Sequence, residues 1–318
     1  MLKMAYLSVK RSLQSAWAMV LALVVVANVF GSALAQTSAV APTESNAAAL
    51  LEKHVSLADQ LANNSYGRPL FLESSESANM VSGNAYAVLD SPFSTVNTTF
   101  KSPSLWCEVM ILHLNTKYCR ATSDTSPSVL KVNIGKKIPQ DLKDTFALEF
   151  ALRLASSSPN YLSVELNAEK GPLGTSNYRI ELQAVPLPGN KTFIQFRYSY
   201  GYGFTGRLAM QTYLGTIGRG KLGFTQINQD QKSTYVGGMR GAVERNTMRY
   251  YLAIDSYLAA LNQPPAQQLN ARFERWFDAT EKYPMQLHEI DKDSYLSMKK
   301  SEHQRQQTGT SGTSRPPD

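Results

Sequence analysis

Between residues 115 and 200 the chain alternates apolar and polar side chains in six successive segments, and this pattern restricts the fold more than any other feature. A period of two sends alternate side chains to opposite faces of an extended strand, so the run reads as a sheet with one apolar face. Leu130, Val132 and Ile134 oppose Lys131 and Asn133, while Phe146, Leu148, Phe150, Leu152 and Leu154 oppose Glu149 and Arg153. Leu162, Val164, Leu166 and Ala168 repeat the pattern. Tyr178, Ile180, Leu182 and Ala184 then oppose Arg179, Glu181 and Gln183, and Ile194, Phe196, Tyr198 and Tyr200 oppose Gln195 and Arg197. The segment 115–122 is the weakest. The intervening strings "SSSPN", "KGPLGTSN" and "PLPGN" are short enough for hairpins, so neighbouring strands should pair antiparallel. One-sided alternation implies a sheet wet on one face and covered on the other.

The segment 239–261 supplies a cover. It places Val243, Thr247, Tyr250, Ile254, Tyr257, Leu258 and Leu261 on one helical side and ends at Asn262 and Pro264-Pro265. A second helix over 266–280 carries a stripe of Leu269, Phe273, Trp276 and Phe277. Tyr283-Pro284 interrupts it, and a polar helix should follow to about residue 300. Upstream, 48–61 reads as a helix with His54 packed on its apolar stripe, and 70–72 is a short apolar piece before a strand at 85–89. Ser91-Pro92 and Ser102-Pro103 each offer a capping hydroxyl followed by proline at a first helical position. A glycine-rich insertion over 201–238 should hold one short helix at 207–216.

Strand, two short helices, six antiparallel strands and a long helix is the order of the helix-grip folds. Over 84–261 the chain resembles the START and polyketide-cyclase-like superfamily in that order. The strings "GGMRGAVERNTMRYYLAIDSYL" and "WCEVMILHLNTKYC" are also similar to a group of exported bacterial proteins, a resemblance that implies export and no particular activity. The fold expected is therefore α+β: a curved antiparallel sheet of about seven strands gripping a long C-terminal helix, with added helices beyond it.

Residues 1–35 read as an export signal: Lys3, Lys10 and Arg11 precede an apolar run, and Ala33-Leu34-Ala35 forms a small-residue cleavage site. An uncleaved membrane anchor is the alternative. The formal charge of +7 becomes +4 once those three cations are set aside, a mild excess without the basic stripe of a nucleic-acid binder. Segments 36–48 and 301–318 are polar and poor in apolar residues. They read as a disordered tether and tail around one domain at 49–300.

The chain has two cysteines, Cys107 and Cys119, with His113 between them. On one continuous strand their sulfurs would lie roughly 40 Å apart at 3.3 Å per residue. If a helix instead ends near Leu114 and the chain reverses, a rise of about 10 Å is undone by a return of about 13 Å, and the two meet. An export signal with an even cysteine count favours a disulfide. A zinc site needs about four ligands and finds only Cys107, His113 and Cys119, and no cofactor motif is present. His113 and Trp106 then read as packing residues.

Arg240, Arg245 and Arg249 crowd the start of the long helix, where the dipole prefers acids. One reading is an anion site at the mouth of a groove whose walls are Tyr178, Tyr198, Tyr200 and Tyr250. The other pairs Arg240 with Glu244 and ties the remaining arginines to Asp255 or strand-end carboxylates. "GTIGRGK" over 215–221 matches the start of a phosphate loop but is followed by Leu222 in place of Ser or Thr. His288-Glu289 reads as surface, and Asn63, Asn97 and Asn190 head glycosylation sequons. These features suggest a non-catalytic exported binder of a hydrophobic or amphipathic, lipid-like molecule. An enzyme using tyrosine and arginine in the groove, or an envelope protein-interaction module with a filled groove, are the alternatives.

Overall fold

A computed structural model describes residues 42–122, 127–216, 220–229 and 232–309. The leader at 1–35 and the tail beyond Gly309 lie outside these residues. Eight strands form one antiparallel sheet: β1 (Leu70–Glu76), β2 (Met80–Leu89), β3 (Thr116–Thr122), β4 (Ser128–Ile134), β5 (Phe146–Ser157), β6 (Leu162–Lys170), β7 (Thr175–Leu187) and β8 (Lys191–Tyr202). Their order is β1-β2-β8-β7-β6-β5-β4-β3. The six alternating segments thus form an unbroken meander. Leu166 faces Ile180 and Leu182 faces Phe196, which puts the apolar sets on one surface. Register shifts at Leu154/Ser156 and Ser176/Arg179 mark bulges of the kind that curve a sheet. The strand beyond the expected seven is β1. Only its first residues are apolar, and full pairing from Leu70↔Ala87 to Glu76↔Val81 carries it through Glu73, Ser74 and Ser75.

The helices are α1 (Pro42–Ser56), α2 (Ala58–Ala62), α3 (Phe93–Phe100), α4 (Pro103–Met110), α5 (Phe204–Gly215), α6 (Gly238–Ala260), α7 (Pro265–Thr280), α8 (Pro284–Leu287) and α9 (Lys292–Thr308). Helix α6 lies in the hollow of the sheet against β1, β2 and β8. It passes close to the sheet at Gly83, where a β-carbon would collide with Thr247. Eighteen of its 23 residues are buried, because α7 packs on its far side, where Trp276 Nε1 donates to the Arg249 carbonyl at 3.0 Å. This is the helix-grip arrangement, and the chain is an α+β protein of that class.

Several boundaries differ from the sequence reading. The 36–48 tether gives way to helix at Pro42, because Ala47 and Leu50 pack with Tyr86, Tyr161 and Phe193 on the outer face of the sheet. That face is therefore partly dry, and the His54 ring lies 4.8 Å from that of Phe193. The insertion adds a hairpin, β9 (Gln226–Gln229) with β10 (Lys232–Tyr235), to its helix. Neither Ser91 nor Ser102 makes a side-chain cap: Pro92 is the N-cap of α3, and Pro103 opens α4 as its pattern implied.

Helix α9 runs on to Thr308, well into the segment read as disordered, and Gly309 closes it at φ 64°. Polar bonds hold it where apolar residues are lacking. Gln306 and Gln307 each donate to Glu108 at 3.2 Å. Deeper in, Glu302 bonds the ammonium groups of Lys117 at 2.9 Å and Lys299 at 2.7 Å, all three side chains being at most 1% exposed. Lys299 also donates to the carbonyls of His113 and Thr116. Burial, opposed by Glu302, lowers the Lys299 pKa to about 8. Alongside, Cys107 of α4 and Cys119 of β3 form a disulfide with their Cα atoms 5.1 Å apart. Replacing Glu302 by Gln strands two buried ammonium groups, and loss of one partner of a buried ion pair costs about 3–5 kcal/mol. Chemical denaturation of Glu302→Gln should show that loss, whereas wild-type stability would mean the network contributes nothing.

Candidate functional site

Side chains fill most of the space between sheet and α6, but a cavity of about 160 Å³ remains. Tyr178 of β7, Tyr198 and Tyr200 of β8 and Tyr250 of α6 line it, with Ile134, Leu148 and Phe150 from β4 and β5. The rings form a continuous cluster. Tyr178 stacks on Tyr200 at 5.3 Å between centroids, Tyr198 meets Tyr250 at 5.5 Å, and Tyr250 stacks on His113 at 4.6 Å. This placement follows from the alternation: 178, 198 and 200 share the inner-face parity, and 250 lies on the helical side that faces them. The turn that joins β6 to β7 closes one side with Pro172 and Leu173.

The described lining carries no formal charge. Burial raises the Tyr178 phenol to about 12 and raises those of Tyr198, Tyr200 and Tyr250 as well, so all four stay neutral. Burial holds His113 well below its ordinary range, and the cations of Arg249, Lys299 and Lys137 act in the same direction. Its Nδ1 accepts from the Asn115 backbone N–H at 3.1 Å, which leaves the ring proton on Nε2. Asn246 lies beside the ring and favours the protonated form, but Nε2 reaches no partner at ordinary hydrogen-bond geometry.

The three arginines are not gathered into this site. Arg240 donates through Nε to Ser74 at 3.1 Å, Arg245 donates to the Leu222 carbonyl at 3.1 Å, and Arg249 pairs with Glu289 at 2.8 Å. Glu244 is not Arg240's partner. It accepts from the backbone N–H groups of Phe224 at 2.6 Å and Thr225 at 2.9 Å and from the hydroxyls of Ser74 and Thr225. Asp255 pairs with Arg68 at 2.7 Å. The cause is the burial of most of α6: Glu244, Arg245 and Arg249 lie in the interior, where each needs a partner.

Glu289 has a largely covered side chain, 9% exposed, in place of the surface position expected. Burial alone would raise its carboxyl, but Arg249 and Lys137 outweigh that and hold it low. His288 bonds Glu281 at 3.0 Å. Part of the string at 215–221 falls outside the described residues, and its Lys221 donates to the His288 carbonyl at 3.0 Å. No group of three or more metal-ligating side chains occurs among the described residues. The sequence reading overlooked His113, Asn115 and Asn246 as lining. The first two follow α4 at a chain reversal that has no periodicity, and only the stacking of His113 beneath Tyr250 identifies it. Asn246 could have been found as the residue one turn before Tyr250.

No protein-family model matches the chain, and no curated protein matches it. Among solved structures, human StAR-related lipid transfer protein 5 is similar at 11% identity with a TM-score of 0.37, over 69% of this chain and all of that one. A conserved protein from Geobacillus kaustophilus gives 13% identity and a TM-score of 0.33, over 56% of this chain and 95% of that one. Norcoclaurine synthase from Thalictrum flavum gives 13% and 0.31, over 47% and 89%.

The buried neutral His113 links stability to acid. Its pKa lies below the 6.5 of an exposed histidine, so on acidification the unfolded chain takes up this proton first. The contribution is present above pH 6.5 and is lost as pH falls below it. Below pH 6.5, wild type should lose up to about 1.4 kcal/mol per pH unit more than His113→Gln, until the folded protein takes up the proton as well. Parallel stability curves from denaturant titrations would contradict this.

Proposed function

We propose that this chain is a non-catalytic binding protein that holds a hydrophobic or amphipathic molecule between its sheet and α6. The observation that carries this reading is the cavity of about 160 Å³ walled by Tyr178, Tyr198, Tyr200 and Tyr250. Tyrosine offers an apolar ring with a polar tip, which suits a ligand with both kinds of surface. Small-molecule sites are typically concave and mostly apolar, with few polar groups. Larger hollows lie on the outer surface, one of about 490 Å³ beside α1. Some of its polar groups already bond one another, as where Arg153 holds Glu165 through two bonds and Tyr161 donates to Gln183.

An exported location is part of the proposal. The Cys107–Cys119 disulfide supports it, since such bonds persist in oxidising compartments. Among the described residues no helix is long and apolar enough to cross a membrane. For the enzyme reading, the groove supplies tyrosines and a neutral His113, while the arginines it also required are engaged elsewhere.

Native mass spectrometry of gently extracted protein tests the binding reading. Wild type should carry or take up an apolar small molecule, and Leu148→Trp, which fills the cavity, should not. Overpacking of this kind costs about 1–3 kcal/mol, so the variant's fold is checked by circular dichroism. Equal loading of the two proteins, or none in either, would refute the reading.

A further inference from the structure

The size of the cavity limits its occupant. An apolar protein cavity of roughly 150 Å³ accepts benzene, whereas pockets that enclose drug-sized ligands run roughly 300–1,000 Å³. At about 160 Å³ this one holds a single ring with a small substituent, too little for an acyl chain and its headgroup together. Charge limits it further. The described lining contains no aspartate, glutamate, lysine or arginine, so an ion entering it would shed its water without gaining a counter-charge.

The tyrosine hydroxyls are not equivalent. That of Tyr178 is bonded to Thr175 at 2.8 Å, and that of Tyr250 lies beside Thr116. Those of Tyr198 and Tyr200 make no hydrogen bond among the described residues. Both side chains line the cavity and are more than nine-tenths buried, at 7% and 3% exposure, yet neither hydroxyl is among the fully occluded unpartnered atoms. The two rings are adjacent, 5.8 Å apart between centroids on the same face of β8. Two adjacent tyrosines in the cavity wall, whose hydroxyls have no partner among the described residues, form a recognition site for one polar atom. Each can donate or accept, so a carbonyl, ether or hydroxyl oxygen fits.

We propose, resting on the binding reading above, that the cavity takes a compact, uncharged ligand whose single polar oxygen is held by the hydroxyls of Tyr198 and Tyr200 while its apolar body packs on Leu148 and Phe150. This assigns the two tyrosines to specificity and the aliphatic and phenyl side chains to affinity. A lipid with a charged head does not meet these limits.

Three probes test it by ligand-observed nuclear magnetic resonance: acetophenone, its hydrocarbon isostere α-methylstyrene, and benzoate. The proteins are wild type and the double variant Tyr198→Phe/Tyr200→Phe, which keeps both rings and removes no hydrogen bond made by the described residues. The ratio of ketone to hydrocarbon affinity should fall about tenfold in the double variant, the size expected for one hydrogen bond to a buried polar group. Benzoate should bind wild type at least about tenfold more weakly than acetophenone, as an ion left without a counter-charge in a mostly apolar lining requires. An unchanged ratio with both neutral probes bound would overturn the tyrosine assignment and leave the cavity reading standing. Benzoate binding as well as acetophenone would overturn the requirement for an uncharged ligand. Failure of all three to bind either protein would remove the cavity reading itself.

Discussion

The burial of α6 is the constraint on which the rest of the structure depends. A helix on the surface of a sheet needs one apolar stripe, whereas this helix is enclosed by β1, β2 and β8 on one side and by α7 on the other. Its buried charges, Glu244, Arg245 and Arg249, must therefore be met inside the protein. Glu244 is met by the backbone of 224–225, Arg245 by the Leu222 carbonyl, and Arg249 by Glu289. The insertion between sheet and helix and the segment after α8 are thus required by the helix they cover. The sheet positions the helix, and the additions neutralise it.

Full pairing of these charges leaves the cavity electrically quiet. It is bounded by tyrosine rings, aliphatic side chains and a histidine that burial keeps neutral. Of the cations that act on His113, Arg249 and Lys137 are turned toward Glu289 and Lys299 toward Glu302. The site is also mechanically anchored: the chain reversal that carries His113 and Asn115 is held below by the carbonyl bonds of Lys299 and on one side by the Cys107–Cys119 bond. The tail helix α9 in this way supports a wall of the site from outside it.

Much of this was legible in the sequence, and the parts that were not have a common cause. Strands β3 to β8 followed from a period of two, and the same parity placed Tyr178, Tyr198 and Tyr200 on the inner face. The disulfide followed from the length of a helix and a returning strand. Composition misled at both ends of the domain. Segment 42–48 and the turns of α9 beyond Ser301 are polar, and they are ordered by contacts with Tyr86, Phe193, Glu108 and Lys117 that lie far away in sequence. The arginines on α6 stood out as a broken local rule. Their partners, Leu222 and Glu289, lie in segments with no periodic signal, so the pattern showed the anomaly without its resolution.

The central claim is that sheet and helix hold between them a small, mostly apolar, uncharged space. A crystal structure of the protein under xenon pressure tests it most directly, because xenon enters apolar cavities of about this size. The account requires xenon density enclosed by Leu148, Phe150, Tyr198 and Tyr250, with α6 in place above it. Ordered water filling that volume, or side chains collapsed into it with no xenon bound, would contradict the account.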